Sequence, residues 1–355
     1  MLFAESGKSQ VQKAGAESLQ VQASGDIYIG LSEERAREIA LMTAKQVFEE
    51  YGAEAHSVIQ DRIIKLDDRV IAALIRENRL EVFADPGFQR TYRKAQEGAA
   101  SSERDADYDL LAALLADRAT RGQQRTIRAG IEKSIEIIDR VDDEALRGLT
   151  VFQAVQAYQP KAGKIDDGLK TMERLLGQLL DGPLPAGGDW LDHLDILDAV
   201  RLNNLGELRK FADYWPSAHM PGYLSAGVEA TVAPKTFDVE GFPVDWLAAP
   251  HELKPGFIRV SAPSKHVLEN IYANVKSPSI RQMLADADEI FHLSQVDESC
   301  RAPLMDLIRA IPKLREIEEW WDHIAGSVTV TAVGRVLARA NAERLDMEDV
   351  LPPLN

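Results

Sequence analysis

Four arginines, Arg118, Arg121, Arg125 and Arg128, stand in "RATRGQQRTIRAGI", with no acid between Arg118 and Ile131. A guanidinium is always charged and presents a rigid fork of donors, which suits a carboxylate or a phosphate. The spacing puts Arg118 and Arg121 at a helix end, where cations complement the helix dipole. It puts Arg125 and Arg128 in the first turns of the next helix, where the dipole disfavours them. That mismatch makes the four a candidate anion-binding set, for a nucleotide or another phosphorylated ligand. The plainer reading, favoured by so acidic a chain, pairs them with neighbouring carboxylates on a solvated face.

"DWLDHLDILDAVR" offers Asp189, Asp192, His193, Asp195 and Asp198 as metal ligands. On a helical wheel the acids fill one half and Trp190, Leu194, Leu197 and Val200 the other, the pattern of an amphipathic surface helix. HExxH, an EF-hand loop and paired Glu-x-x-His motifs are all missing from the sequence, so no metal site is assigned. His56, His219, His251, His266, His292 and His323 are scattered, and Cys300 has no histidine near it in sequence. Neither a Walker A loop, a GxGxxG after a strand, nor a GxSxG occurs. No catalytic residue and no cofactor is therefore nominated. Trp320 and Trp321 read as core anchors at a helix end.

The elements that would carry these residues are mostly helical, with one exception at the start. "QVQKAG" and "QVQASG" begin ten residues apart, at Gln10 and Gln20. Alternation places Val11, Val21, Ile27 and Ile29 on the inward faces of short strands, with Gly15, Gly25 and Gly30 as turns. A hairpin of this size is marginal alone in water. Pooling its valines and isoleucines with those of other copies, as a β-prism or short solenoid, would solve that. Packing on the chain's own helices and a disordered tail are the alternatives.

From Ser32, a good N-cap, the apolar period changes to about 3.6: Ile39, Met42, Val47, Phe48 and Tyr51, then Val58 to Ile75. One long helix or two collinear ones are expected over 32–80, bent or broken at Gly52. Asp85-Pro86-Gly87 reads as a stop and turn. Helices follow at "SSERDADYDLLAALLADRA", capped by Ser102 or Asp105, at "QRTIRAGIEKSIEIIDRV" and at "DDEALRGLTVFQAVQAY". Asp189 is expected to cap the helix "DWLDHLDILDAVRL". A Pro-rich extended region with short strands covers 218–263, and helices resume from "SKHVLENIYANV". "SVTVTAVGRVLARANAER" turns from a strand into a helix capped by Thr331, with Arg335, Arg339 and Arg344 on a basic side.

The fold class expected is mainly α: a multi-helix body behind a short N-terminal β segment and a long helix, with a small β or extended insertion near 218–263. The segments are 1–31 for assembly, 32–83 as a long helix or stalk, 84–216 as a helical domain, 217–263 as the insertion, and 264–355 as a helical, winged-helix-like module.

The net charge is −16, from 57 acids against 41 Lys and Arg, which repels nucleic-acid backbones at long range. One cysteine cannot form an internal disulfide and fits a reducing compartment. The start "MLFAESGKSQ" lacks a basic region followed by an apolar one, and the longest aliphatic run, near "VIAALI", is far short of the ~20 residues of a spanning helix. A soluble cytoplasmic protein is expected, with no membrane contact.

The Gln-Val-Gln leader, "DYDLLAALLADRATRGQQRTIRAGIEKSIEIIDRVDDEALRGLTVFQAV" and "WLDHLDILDAVRL" together resemble a conserved bacterial family of unassigned activity, over Ser9 to about Phe211. More loosely, the "LL.DR" helix end and "VTVTAVGRVLARA" resemble abortive-infection alpha-type proteins, which would imply a place in phage defence. The function expected is a non-enzymatic, homo-oligomeric scaffold or sensor. Its partner is itself, a trimer being favoured, with contacts through Val11, Val21, Ile27, Ile29 and Ile39, and another protein as a further partner. A nucleotide- or anion-responsive effector enzyme using Arg118 to Arg128, and a DNA-binding regulator using the C-terminal module, are the alternatives.

Overall fold

The computed structural model describes residues 33–203, 205–237, 242–274, 276–346 and 350–354. The β leader, with Val11, Val21, Ile27 and Ile29, lies outside the described residues. Among the described residues there are thirteen α-helices and five short strands. The protein is mainly helical, as the periodicity predicts.

Helix α1, Glu33–Arg76, is 44 residues long and runs unbroken through Gly52. A mid-helix glycine costs about 1 kcal/mol relative to alanine, too little to break so long a helix. The chain divides after Ser57 into two compact units. In the larger, residues 58–355, Leu66, Val70 and Leu74 recur every fourth residue and are fully buried. The helix stops at Asn78, which takes a left-handed φ of 53°. The Arg79 amide then donates to Leu74 O at 2.9 Å.

The Asp85-Pro86-Gly87 turn is instead a helix start. The Asp85 carboxylate accepts from the amides of Gly87 and Phe88, both at 3.1 Å, and Pro86 occupies the first turn of α2, Pro86–Ser101. Proline is favoured there because its missing N–H would have had no partner. Ser102 and Asp105 do not cap α3, Asp105–Arg121. Arg104 holds the N-cap position without a side-chain cap. Its guanidinium instead staples the start of α3 to Asp107, to Asp143 and to the carbonyl of Val141. Then come α4, Arg125–Ile137, and α5, Asp143–Ala157, which Asp142 caps.

The last helix, α13, Ala332–Leu345, packs against α3, α4 and α5. Thr331 caps it as expected, accepting from Gly334 N at 3.2 Å and donating to Asp198 O at 2.6 Å. A Cβ on Gly334 would lie 2.1 Å from Ala199 O, so only glycine fits there. Asn341 on α13 donates to the Thr150 hydroxyl of α5 at 2.9 Å in the core.

After α6, Ile165–Gln178, the amphipathic segment is shorter than expected. Helix α7, Asp189–Ile196, has Gly188 rather than Asp189 at its N-cap and ends before Asp198, whose φ is 61°. Val200 therefore leaves the helical wheel and opens strand β1, Val200–Asn203. This strand pairs antiparallel with β5, Ser327–Val330. Helices α8, Phe211–His219, α11, Arg301–Arg309, and α12, Pro312–Asp322, complete this core. Trp321 is an anchor there: it stacks on Phe152 at 4.9 Å and on Tyr214 at 5.5 Å, and its Nε1 donates to Arg209 O.

The Pro-rich stretch makes a second, smaller core. Strands β2, Val228–Glu229, β3, Ala248–Pro250, and β4, Phe257–Val260, form an antiparallel sheet with β4 in the middle. It goes with α9, Lys265–Ile271, and α10, Pro278–Phe291, around Phe237, Val260, Met283 and Phe291. Arg259, 1% exposed, ties this sheet to the helices: its guanidinium grips Glu252 at 2.8 and 2.9 Å and donates to Gly163 O at 2.8 Å.

Candidate functional site

The four clustered arginines part company in space. Arg118 is buried and lies between Asp85, at 3.7 Å, and Glu132, at 3.5 Å. It folds back over Gly122, where a Cβ would stand 2.6 Å from its Nη1. It is an internal cation. Arg125 is exposed and Arg128 half-exposed, and neither has an ion pair among the described residues. Arg121 alone reaches a cavity.

That cavity, of about 180 Å³, lies between the end of α3, the first turn of α4 and the start of α13. Arg121, Arg335 and Arg339 line it with charge, and Ile127, Gly130, Ala332, Val336 and Leu354 line it with carbon. Gly130 of α4 faces Ala332 of α13 here, where a Cβ would stand in ordinary contact, 3.4 Å from Ala332 O. Leu354 is held in place by the C-terminal segment. The Asp346 carboxylate accepts from the amides of Val350 and Leu351 at 3.0 and 2.8 Å, and Tyr158 donates to Pro352 O at 2.8 Å.

Two carboxylates hold Arg121 and Arg339. Asp117 accepts from Arg121 at 3.2 Å and lies 3.7 Å from Arg339, which also donates to Glu343 at 2.8 Å. Burial raises the pKa of Glu343, against the lowering effect of Arg339. Arg335 is exposed and its guanidinium donates to a backbone carbonyl, Val330 O, at 2.9 Å. The cavity also meets the open end of α4, whose N-cap residue Gln124 makes no side-chain bond to the first-turn amides. The sequence shows Arg121 and the basic side of α13 as separate features. Nothing in the spacing says that the two meet.

The sequence also hides a cysteine–histidine approach. Cys300 Sγ lies 3.9 Å from His251 Nε2, both buried. The histidine is not a base for this thiol. Its Nδ1 accepts from Leu253 N at 3.2 Å, so the proton is on Nε2, which faces Ser225 O at 2.9 Å. Burial lowers the His251 pKa, and burial, with Asp297 adding, raises that of the thiol. Both shifts oppose the thiolate–imidazolium pair that a nucleophilic cysteine requires. His193 accepts from Asp142 N at 3.2 Å and so braces the start of α5. Among the described residues no group of three or more His, Cys, Asp or Glu is placed to hold a metal ion.

The remaining feature is the surface of α1. Ile39, the one predicted assembly residue within the described part, is 43% exposed. Leu41, Met42, Val47 and Tyr51 are exposed in the same stretch, and Ile64, Ile71 and Ile75 are exposed opposite the buried Leu66, Val70 and Leu74. More than half of the exposed large apolar side chains among the described residues are on this one helix. Among the described residues no helix is long and apolar enough to cross a membrane.

A family model matches residues 30–349, and the chain belongs to that family, an uncharacterised one. No curated protein and no solved structure matches the chain.

Proposed function

We propose that this member of an uncharacterised family is a non-enzymatic scaffold that works as a homo-oligomer, joined through α1 and the leader that precedes it. The exposed apolar surface of α1 carries this reading. Fully burying an isoleucine side chain contributes about 1.5–3 kcal/mol. Ile64, Ile71 and Ile75 start about half exposed, so covering them yields only about 1 kcal/mol each. Association itself costs about 4–15 kcal/mol. The isoleucines of 58–76 are too few on their own, and the reading needs Ile39, Met42, Val47 and Tyr51 as well, with the leader adding Val11, Val21, Ile27 and Ile29. A trimer is the arrangement proposed. Phage defence is the setting that the likeness to abortive-infection alpha-type proteins would give it.

Light scattering coupled to size exclusion tests this. The intact chain is expected at a multiple of 39.3 kDa. A chain carrying Met42→Lys, Tyr51→Lys and Ile71→Lys, all at exposed positions, is expected at the single mass with its helicity kept. An intact chain that runs as a monomer at every concentration removes the proposal.

The DNA-regulator reading is weaker, because Arg339 and Arg344 on α13 face Asp117, Glu343 and Asp181 rather than solvent alone. An effector built on Arg118 to Arg128 loses Arg118 to its internal pairs.

A further inference from the structure

The cavity between α3, α4 and α13 has a lining of two chemistries. Three guanidiniums, Arg121, Arg335 and Arg339, share it with carbon from Ile127, Ala332, Val336 and Leu354. Against the three positive charges stand Asp117 and Glu343, which leaves one in excess. A volume of about 180 Å³ equals that of roughly six liquid waters, below the 300–1,000 Å³ typical of sites for drug-sized ligands. A nucleotide would overfill this volume and extend beyond the lining. A bare phosphate dianion would leave the apolar wall facing water and overbalance the charge. A monoanion with a short hydrocarbon body matches size, charge and wall together.

We propose that this cavity binds a small carboxylate with an apolar body, its carboxylate on Arg335 and Arg121 and its carbon against Val336 and Leu354. The guanidinium fork takes a carboxylate through two parallel hydrogen bonds. Arg335 is the residue best placed to supply them, since its guanidinium donates to a carbonyl, Val330 O, and not to an acid. The uncapped start of α4 adds partial positive charge to the same space. Asp117, touching both Arg121 and Arg339, fixes the other two guanidiniums. This inference is independent of whether copies assemble.

The test is saturation-transfer NMR and calorimetry on the full chain with hexanoate and benzoate. Inorganic phosphate is the anion without a body, and hexanol the body without an anion. The carboxylates are expected to bind, and Arg335→Gln to weaken them by about tenfold, the loss of a charge-assisted hydrogen bond. Arg335 is exposed, and an unchanged thermal midpoint confirms that the variant folds. Val336→Ala is expected to weaken hexanoate while leaving weak phosphate contact unchanged. Equal carboxylate binding by wild type and Arg335→Gln overturns the proposal. So does phosphate binding as tightly as hexanoate, which would make the cavity an anion site with no use for its apolar wall. No carboxylate binding at all also overturns it.

Discussion

His219 makes the stability of this protein depend on pH in a way that can be worked out beforehand. It closes α8, is 7% exposed, and has an Nε2 with no hydrogen-bond partner. Burial brings its pKa down from 6.5 to about 4, against the opposing effect of a backbone hydrogen bond at Val155. Between these values the unfolded chain binds a proton that the folded chain refuses. Stability from this group is therefore intact above about pH 6.5 and is lost as the pH falls towards 4. The whole effect is about 3 kcal/mol, of which about 2 kcal/mol is lost by pH 5. Urea unfolding of the wild type and of His219→Gln at pH 7.5 and pH 5.0 isolates it. The carboxylates titrate in both proteins and cancel in the comparison. The wild type is expected to lose about 2 kcal/mol more than the variant between the two pH values. Equal losses in the two would refute the reasoning, because a histidine that stays neutral through burial cannot titrate silently.

Glu252→Gln leaves the buried Arg259 guanidinium without its carboxylate, and should cost about 3 kcal/mol in the urea midpoint, the range for breaking one side of a buried pair. A change under about 0.5 kcal/mol, the scale of an ordinary surface substitution, would mean that Gly163 O and Val260 O satisfy Arg259 by themselves. Cys300 should react with a disulfide reagent only when the chain unfolds, since it is buried and burial raises its pKa. Native-state labelling at the rate of an exposed thiol would show that its pocket opens.

What could be read from the sequence divides by the kind of signal. Strong period was enough for α1 and α5, and period with a good cap for the strand-to-helix change at Thr331; Ser32, the cap expected for α1, lies outside the described residues. Helix α2 was not legible, because its buried stripe is Phe88, Thr91, Ala95 and Ala99, and small residues hardly register as apolar. Its start reads as a turn for a related reason: Asp-Pro-Gly suits a β-turn and a capped helix equally well. The spacing of Val200 fits a helix face. A partner strand over a hundred residues away, Ser327–Val330, takes it instead. The approach of Cys300 to His251 and of Arg121 to Arg335 has no local trace at all. Both depend on how helices and sheet pack, through contacts such as Gly130 against Ala332.

The charge of the whole chain bears on which anions the cavity could serve. A net −16 repels a long polyanion at every point of approach, and the Debye length of about 8 Å at physiological salt does not hide neighbouring acids from it. A ligand a few ångströms across meets only the charges within that distance once it arrives. The cavity's lining presents three arginines, of which Arg121 and Arg339 are paired with Asp117 and Glu343. An acidic protein can therefore keep a positive site for a small anion while excluding large ones, provided the excess is small and local. One surplus charge beside an apolar wall meets that condition. The same four-arginine stretch that reads as a phosphate grip is used otherwise: Arg118 inside the bundle, Arg125 and Arg128 towards solvent, and Arg121 as one part of a site completed from the far end of the chain.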